Sequence, residues 1–432
     1  MQKILEAYLA AYEPLSKEID ANIEKYRKGD FKIEVRRADG TPLAARVEVR
    51  QTGHAFDFGI SPLMLGAMGE REQAYRDAIT DLFNFVTTTF CWNVTEIAPG
   101  KFRFDEGVEE IYRRPPAERV LRFAEENGLR AKGQPLFCGR WCPDWALGDL
   151  ENMKRLWQKF VHAVAERYDG KYDIFDVVNE SYARGSWRNM EWLPIPRFEL
   201  VRWLMQTAGE IFSDRTHMER NEPTPVNYGE YAKQYYEDNK RLLEEGVRLD
   251  AIGIQFHFFH GKDCLDKLIF GESNLGEIYK NYHRLSTLGV PTYISEITIP
   301  THYAGLSREA GETLQAEILD RLYRLWFSIP SMQGIVYWNL KDGDTWQGED
   351  KCLGCLLDEN MRRKPSYYAL EKLIKHEWNT SFEGGTGEDG TLAFRGFYGD
   401  YEVTVETDDG TPPHHDTVHL DRETDTAVVT VQ

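Results

Sequence analysis

Asp173-Ile-Phe-Asp-Val-Val-Asn-Glu180 is a short apolar run that closes on an amide and a carboxylate. It is too short for an ordinary helix and rich in apolar residues, so it reads as a buried strand. Similar runs recur on both sides of it: Phe56–Ile60, Phe83–Thr88, Ala131–Phe137, Thr216–Arg220, Ala251–Phe256, Pro291–Ser295 and Gly334–Trp338. The Thr216–Arg220 run is the polar one. Most of the intervals carry helical periodicity. Met153, Leu156, Trp157, Phe160, Val161 and Val164 form one apolar stripe, and Leu314, Ile318, Leu322 and Leu325 another. Eight strands alternating with helices predict an α/β protein, a closed (β/α)8 TIM barrel over residues 56–378. The competing architecture is an open doubly wound sheet. No GxGxxG follows the first strand and no GxxxxGK[ST] loop occurs, which lowers that alternative and nucleotide binding with it.

The flanks have a different grammar. Residues 1–55 begin with a helical pattern in which Ile4, Tyr8, Tyr12, Ile19 and Ile23 recur. Phe31–Arg36 and Ala45–Arg50 then alternate around the turn chemistry of Ala38-Asp-Gly-Thr-Pro42 and predict a β-hairpin. After residue 378, Glu383–Gly390 reads as a flexible turn region. Leu392–Phe397, Asp400–Glu406 and Thr426–Val431 read as strands. Three strands are marginal alone, so residues 379–432 are expected to pack with residues 31–51 into a small accessory β-sandwich-like unit formed by the chain ends.

Composition removes several classes of function. The chain has 432 residues, enough for a large barrel and an accessory unit. With 71 acidic against 52 basic residues the net charge is −19, which disfavours nucleic acid and anionic membranes as partners. Aromatic residues make up 13%. Sugar sites use flat aromatic faces, but a core of this size also consumes them, so the count favours the core. The opening Met1-Gln-Lys-Ile-Leu-Glu-Ala-Tyr8 lacks a long apolar stretch and a cleavage site, and no run reaches transmembrane length. A cytoplasmic protein is expected. The cysteines Cys91, Cys138, Cys142, Cys264, Cys352 and Cys355 suit free thiols in a reducing compartment. Cys352 and Cys355 form a CxxC without a second pair or nearby His to complete a zinc set. His414, His415 and His419 read as a solvated loop.

Chemistry is expected at the C-terminal ends of the barrel strands. Glu180 ends the fourth run, and Glu296 ends the seventh in Val290-Pro-Thr-Tyr-Ile-Ser-Glu296. A charge after an apolar strand is costly unless used. Two carboxylates in one cleft are the apparatus of glycoside hydrolysis. Asn179 can hydrogen-bond a sugar hydroxyl beside the reacting carbon. Gln255 and His257 share a face by alternation, and His257 can hold Glu296. Trp338 and Trp346 can stack on a pyranose ring.

The motifs Asp176-Val-Val-Asn-Glu180, Gly253-Ile-Gln-Phe-His257, Ile294-Ser-Glu-Ile297 and Val336-Tyr-Trp-Asn-Leu-Lys-Asp342 through Trp346 resemble glycoside hydrolase family 10 across roughly residues 56–376. Asn221-Glu222 resembles its strand-five motif, with Pro223 in place of Tyr. Leu356-Leu-Asp through Lys364-Pro-Ser-Tyr resembles its closing segment. The resemblance implies an endo-β-1,4-xylanase-like enzyme with a retaining mechanism. Glu296 would be the nucleophile and Glu180 the acid/base, with carboxyl groups about 5–5.5 Å apart. No metal or organic cofactor is required, and the expected partner is a small soluble oligosaccharide or β-glycoside.

The departures lie on the glycone side. Gln134 stands where the family has a sugar-contacting His. Cys138 and Gly139 stand for Trp-His, Thr89, Phe90 and Asn93 for Glu, Asn and Lys, and Thr298 for Asp. Replacing that many polar contacts is expected to change substrate choice. Another β-glycoside, or a silent carbohydrate-binding barrel, is therefore the alternative. Arg140, Trp141 and Trp145 after the third strand are candidates for new contacts, and Trp187 and Trp192 after the fourth for leaving-group-side platforms, with loop packing the alternative for each.

Overall fold

The computed structural model describes residues 2–183, 185–223, 229–259, 266, 269–271, 274–303, 305–346, 348–408 and 411–431. Cys264 lies outside them. The strands, numbered along the chain, are β1 Lys28–Arg37, β2 Arg46–His54, β3 Asp57–Ile60, β4 Phe85–Thr89, β5 Glu96–Ala98, β6 Lys101–Phe102, β7 Arg130–Gln134, β8 Ile174–Asn179, β9 His217–Pro223, β10 Ala251–His257, β11 Thr292–Thr298 and β12 Met332–Tyr337. The C-terminal strands are β13 Ser381–Gly385, β14 Thr391–Phe397, β15 Gly399–Glu406, β16 His414–Leu420 and β17 Thr426–Val431.

Eight strands close a parallel barrel in the order β3-β4-β7-β8-β9-β10-β11-β12, with β12 returning to β3. Each overlaps a run expected from the sequence. Helices such as Leu150–Tyr168 and Arg308–Phe327 surround it, and their apolar stripes are buried except for Leu156, which is partly exposed. Phe85, Ile174, Ala251, Tyr293 and Val336 fill the lower interior. Above them the interior turns polar. The Lys132 ammonium pairs with Glu219, both nearly inaccessible to water. Burial pushes Asp176 and Glu219 above the usual carboxylate range, and the Lys132 charge opposes that shift. Gly253 permits this cluster, because a Cβ there would meet Glu219 Oε1 at 2.3 Å and Asn221 Oδ1 at 2.8 Å.

Two register irregularities shape the top of the barrel. Between β8 and β9, Asp176 pairs with Glu219 but Val178 pairs with Arg220. Between β10 and β11, Ile254 pairs with Ile294 but Gln255 pairs with Glu296. Each inserts one extra residue, as a bulge does. Asp176 and Asn179 therefore both reach Asn221 on the barrel interior. Ser295 and Glu296, adjacent in sequence, both turn inward as well.

The chain ends build two further sheets, β14-β1-β17 and β13-β2-β15-β16. This corrects the expected hairpin: β1 and β2 do not pair with each other. β1 runs antiparallel to β14 and parallel to β17, while β2 runs antiparallel to β13 and β15. The turn forms, with Arg37 N donating to Thr41 O at 2.8 Å. The chain then crosses between sheets, burying Leu43. Phe31, Ile33 and Val35 thus meet Val47, Val49, Tyr401 and Val403 in one apolar layer, which an isolated hairpin would leave wet. Two more expectations change. Of the expected turn region Glu383–Gly390, residues 383–385 belong to strand β13 while 386–390 form the turn, and His414, His415 and His419 lie on β16, where His419 pairs with Asp400 and Asp421.

The N-terminal helix Gln2–Arg27 buries Tyr8, Tyr12, Ile19 and Ile23 against the barrel, and Tyr8 Oη donates to Ile318 O at 3.2 Å. His54, Phe56, Phe58, Phe327, Trp378 and Phe397 form an aromatic cluster at the N-terminal end of β3, opposite the strand ends that carry Glu180 and Glu296.

Candidate active site

Glu296 is 4% exposed at the top of β11 and is surrounded by donors. Its Oε1 accepts from Gln255 Nε2 at 3.0 Å, from Asn221 Nδ2 at 3.4 Å and from Gln134 Nε2. Its Oε2 meets His257 Nε2 at 3.0 Å. The other ring nitrogen, His257 Nδ1, meets Thr298 Oγ1 at 2.9 Å, so a hydroxyl orients the imidazole. Burial raises the Glu296 pKa, while the hydrogen bond and charge of His257 oppose the rise and the nearby Glu180 adds to it.

Glu180 follows β8 with φ at 59°, a left-handed conformation rare outside glycine. Its backbone N–H donates to Asn221 O at 2.9 Å, and the turn brings the side chain over the barrel mouth. Its Oε1 accepts from Gln255 Nε2 at 3.2 Å and its Oε2 from the Ser186 hydroxyl. Strain of this kind persists only where the surroundings over-determine it. Buried Glu222 supplies that support: it accepts from Ser181 N and Tyr182 N, each at 3.0 Å, and from Arg220 at 3.3 Å. Gln255 Nε2 also reaches Asn179 Oδ1 at 3.0 Å. One amide thus links Asn179, Glu180 and Glu296.

Both glutamates open into a cavity of about 350 Å³. Gln134, Asn179, Gln255 and His257 line it with them, as do Arg140, Trp141, Trp338, Trp346 and Thr89. Trp338 lies edge-on to His257 at 6.1 Å, and Trp141 edge-on to Trp346 at 6.2 Å. Trp346 is 43% exposed. Arg113, also left-handed with φ at 60°, donates to Asn339 Oδ1 at 2.7 Å and to Glu349 Oε2 at 3.4 Å. Glu349 also accepts from Trp346 N at 3.3 Å, fixing the loop that carries that ring. Among the described residues no group of three His, Cys, Asp or Glu side chains is placed to hold a metal. No helix among them is long and apolar enough to cross a membrane.

The profile described as Glycosyl hydrolase family 10 matches residues 52–373, three quarters of the chain. This chain belongs to glycosyl hydrolase family 10. Anti-sigma-I factor RsgI6 of Acetivibrio thermocellus is 26% identical over 409 residues, covering 93% of this chain and 48% of that protein. Endo-1,4-beta-xylanase B of Thermotoga neapolitana is 26% identical over 288 residues, covering 62% of this chain and 75% of the relative. The chain thus spans about half the length of the first of these relatives. Among solved structures, xylanase 10B from Thermotoga petrophila in complex with xylobiose shares the fold. It aligns with a TM-score of 0.61 and 24% identity over 75% of this chain and 95% of that one. Xylanase 10B from Thermotoga maritima gives 0.60 at 23% identity, over 75% of this chain and 96% of that one.

Not every candidate residue of this family 10 chain meets the cavity. Asn93 does not line it. Alternation after Thr89 turns Phe90 outward against Tyr168, Tyr172 and Phe175, Cys91 turns in, and Asn93 sits on the short helix Trp92–Thr95 beyond the rim. Trp187 is fully buried and donates to Asn179 O at 3.1 Å, so it packs beneath the site rather than forming a platform. Gly139 makes room for it, since a Cβ there would lie 2.9 Å from Trp187 Cα. Trp145 packs on Trp92, and Trp192 does not line the cavity.

Sequence reasoning missed Ser186, Arg113, Arg114 and Glu349, all of which line the cavity. None sits at a strand end. The Arg113-Arg-Pro-Pro116 run, two adjacent cations before two prolines in an acidic chain, was the available signal.

Proposed function

We propose that this family 10 chain is a retaining hydrolase of β-1,4-xylan-derived or related short β-glycosides. The observation that carries the reading is Gln255, whose single amide nitrogen touches Glu180 at 3.2 Å and Glu296 at 3.0 Å. The two carboxylate oxygens are therefore no further apart than the sum of those bonds. That bound keeps both carboxylates within reach of one anomeric carbon, as the retaining mechanism requires.

In this mechanism a Glu296 oxygen bonds to the anomeric carbon as the glycosidic bond breaks, and Glu180 gives its proton to the leaving oxygen. Water then attacks the same carbon, Glu180 takes its proton, and Glu296 leaves as carboxylate. The donors on Glu296 Oε1 hold the nucleophile and stabilise its charge before attack. Asn179 would bond a hydroxyl next to the reacting carbon, and Trp338, Trp141 and Trp346 would bear on pyranose faces. The relative from Thermotoga neapolitana described as an endo-1,4-beta-xylanase, and the fold partner solved with xylobiose, make xylo-oligosaccharide the first substrate to try.

A second reading is a barrel that binds sugar without turning it over. The similarity to a protein described as an anti-sigma factor, which extends over 93% of this chain, favours it. Hydrolysis of aryl β-xyloside and β-glucoside by wild type and by Glu296→Ala separates the two. The hydrolase reading expects turnover by wild type, loss in the variant, and a β-anomer as first product by NMR. Equal rates from both proteins exclude the mechanism.

A further inference from the structure

Among the described residues, two arginines of the cavity have no acidic partner. Arg114 is only 7% exposed, and its guanidinium carbon lies 5.1 Å from the ring centre of Trp141 and 5.9 Å from that of Trp346. Its Nη1 donates to the Arg113 carbonyl at 2.9 Å, and the group also bears on the buried Cys91 thiol. No carboxylate of the described residues forms an ion pair with it. Arg140 lines the same cavity, is exposed, and its side chain forms no hydrogen bond or ion pair among the described residues. Their neighbour Arg113 differs, being held by Glu349 and Asn339.

Buried Arg27 and Arg103 also lack an ion pair among the described residues, but each donates to two backbone carbonyls. Arg119, Arg167, Arg220, Arg308 and Arg362 each hold two or more carboxylates. A guanidinium taken out of water without a counter-charge is costly. Glu180, Glu296 and Glu349 line the same cavity, yet none of them forms an ion pair with Arg114 or Arg140. The two tryptophans flank the Arg114 fork, leaving its free N–H groups for whatever enters the cavity.

We infer that the cavity selects a β-glycoside bearing a carboxylate, with Arg114 and Arg140 supplying the counter-charge and Trp141 and Trp346 bounding the ring. The inference rests on the reading of this cavity as a glycoside site and adds its substrate class. The planar, forked donors of arginine match a carboxylate in two parallel bonds, which a neutral hydroxymethyl group cannot reproduce. The acid can reside on the sugar, as in a hexuronide, or on the aglycone.

Titration calorimetry on Glu296→Gln, which holds ligand without turnover, uses three probes: 4-nitrophenyl β-D-glucoside, 4-nitrophenyl β-D-glucuronide and 4-carboxyphenyl β-D-glucoside. One carboxylated probe is expected to bind at least tenfold more tightly than the neutral glucoside at low salt. Which one does so locates the acid. That preference is expected to fall at least tenfold when Arg114→Gln or Arg140→Gln is added. Arg140 is a surface residue, so its variant remains informative if Arg114→Gln does not fold. The inference is overturned if the neutral glucoside binds as tightly as both acids, or if the preference survives in both arginine variants. Turnover by wild type is scored separately. Selective binding of an acid without hydrolysis of any probe sinks the hydrolase reading and leaves this one standing. Hydrolysis of the neutral probe with no preference for an acid does the reverse.

Discussion

Replacing Gln255 with leucine removes one donor shared by both proposed catalytic carboxylates, and its consequence can be worked from the geometry. Gln255 is 1% exposed, and leucine is of similar bulk. The substitution deletes the bonds from Nε2 to Glu296 Oε1 and Glu180 Oε1. A hydrogen bond to a charged group is worth about 1.5–3 kcal/mol. Glu296 already sits above the usual carboxylate range because it is buried, and the lost donor stabilised its ionised form. Losing it pushes the nucleophile further up. Gln134 and Asn221 still donate to the same oxygen and limit the rise. A nucleophile must be ionised, so activity is lost as pH falls through its pKa. The acid limb of the kcat/KM profile is expected to move to higher pH, and kcat/KM on the plateau to fall on the order of tenfold or more. The assay is an aryl β-glycoside progress curve across pH 4–9, with thermal melting as the control for folding. An unmoved acid limb with kcat/KM within twofold of wild type would refute the reasoning.

Three further outcomes are expected. Trp346→Ala should raise KM for a short β-glycoside by about 3- to 10-fold with little change in melting, since the ring is 43% exposed; an unchanged KM would place the sugar elsewhere. Burial pushes Asp57 up to about 7, against the pull of Arg130. Its folded pKa exceeds its unfolded one, so its contribution is most favourable below about pH 4 and declines as pH rises to 7. The stability of wild type relative to Asp57→Asn should therefore fall across that window, by a few kcal/mol at most, and a flat difference by denaturant titration would contradict it. Truncation after residue 380 removes every hydrogen-bonded strand partner of β1 and β2 and uncovers much of Phe31, Ile33, Val35, Val47 and Val49. The product should aggregate or melt at least about 10 °C lower, and an unchanged melting temperature would show the two chain ends to be independent.

Much of the barrel was legible in the chain because burial on both faces leaves continuous apolar runs, and Glu180 and Glu296 stand out as charges where such runs stop. Gln255 and His257 were legible too, since β10 keeps strict alternation through His257. The accessory strands were harder. An alternating strand announces one wet and one dry face but not its partner, so β1 and β2 read as a hairpin when each belongs to a different sheet. Asn93 was carried over from the family resemblance, which matches residue order but does not show that the chain here turns into a helix at Trp92.

The order of local patterns alone determined that this chain closes a parallel barrel, because hydrophobic period and turn chemistry are properties of neighbouring residues. It also determined which two carboxylates end on the same rim. Only the tertiary structure decided how those carboxylates aim. Bulges in β8 and β11 and the left-handed turn at Glu180 break the alternation that sequence reasoning assumes. Only it brought Arg113 and Arg114 from a loop to the same cavity. Such placements depend on contacts between distant segments, and no local pattern encodes them.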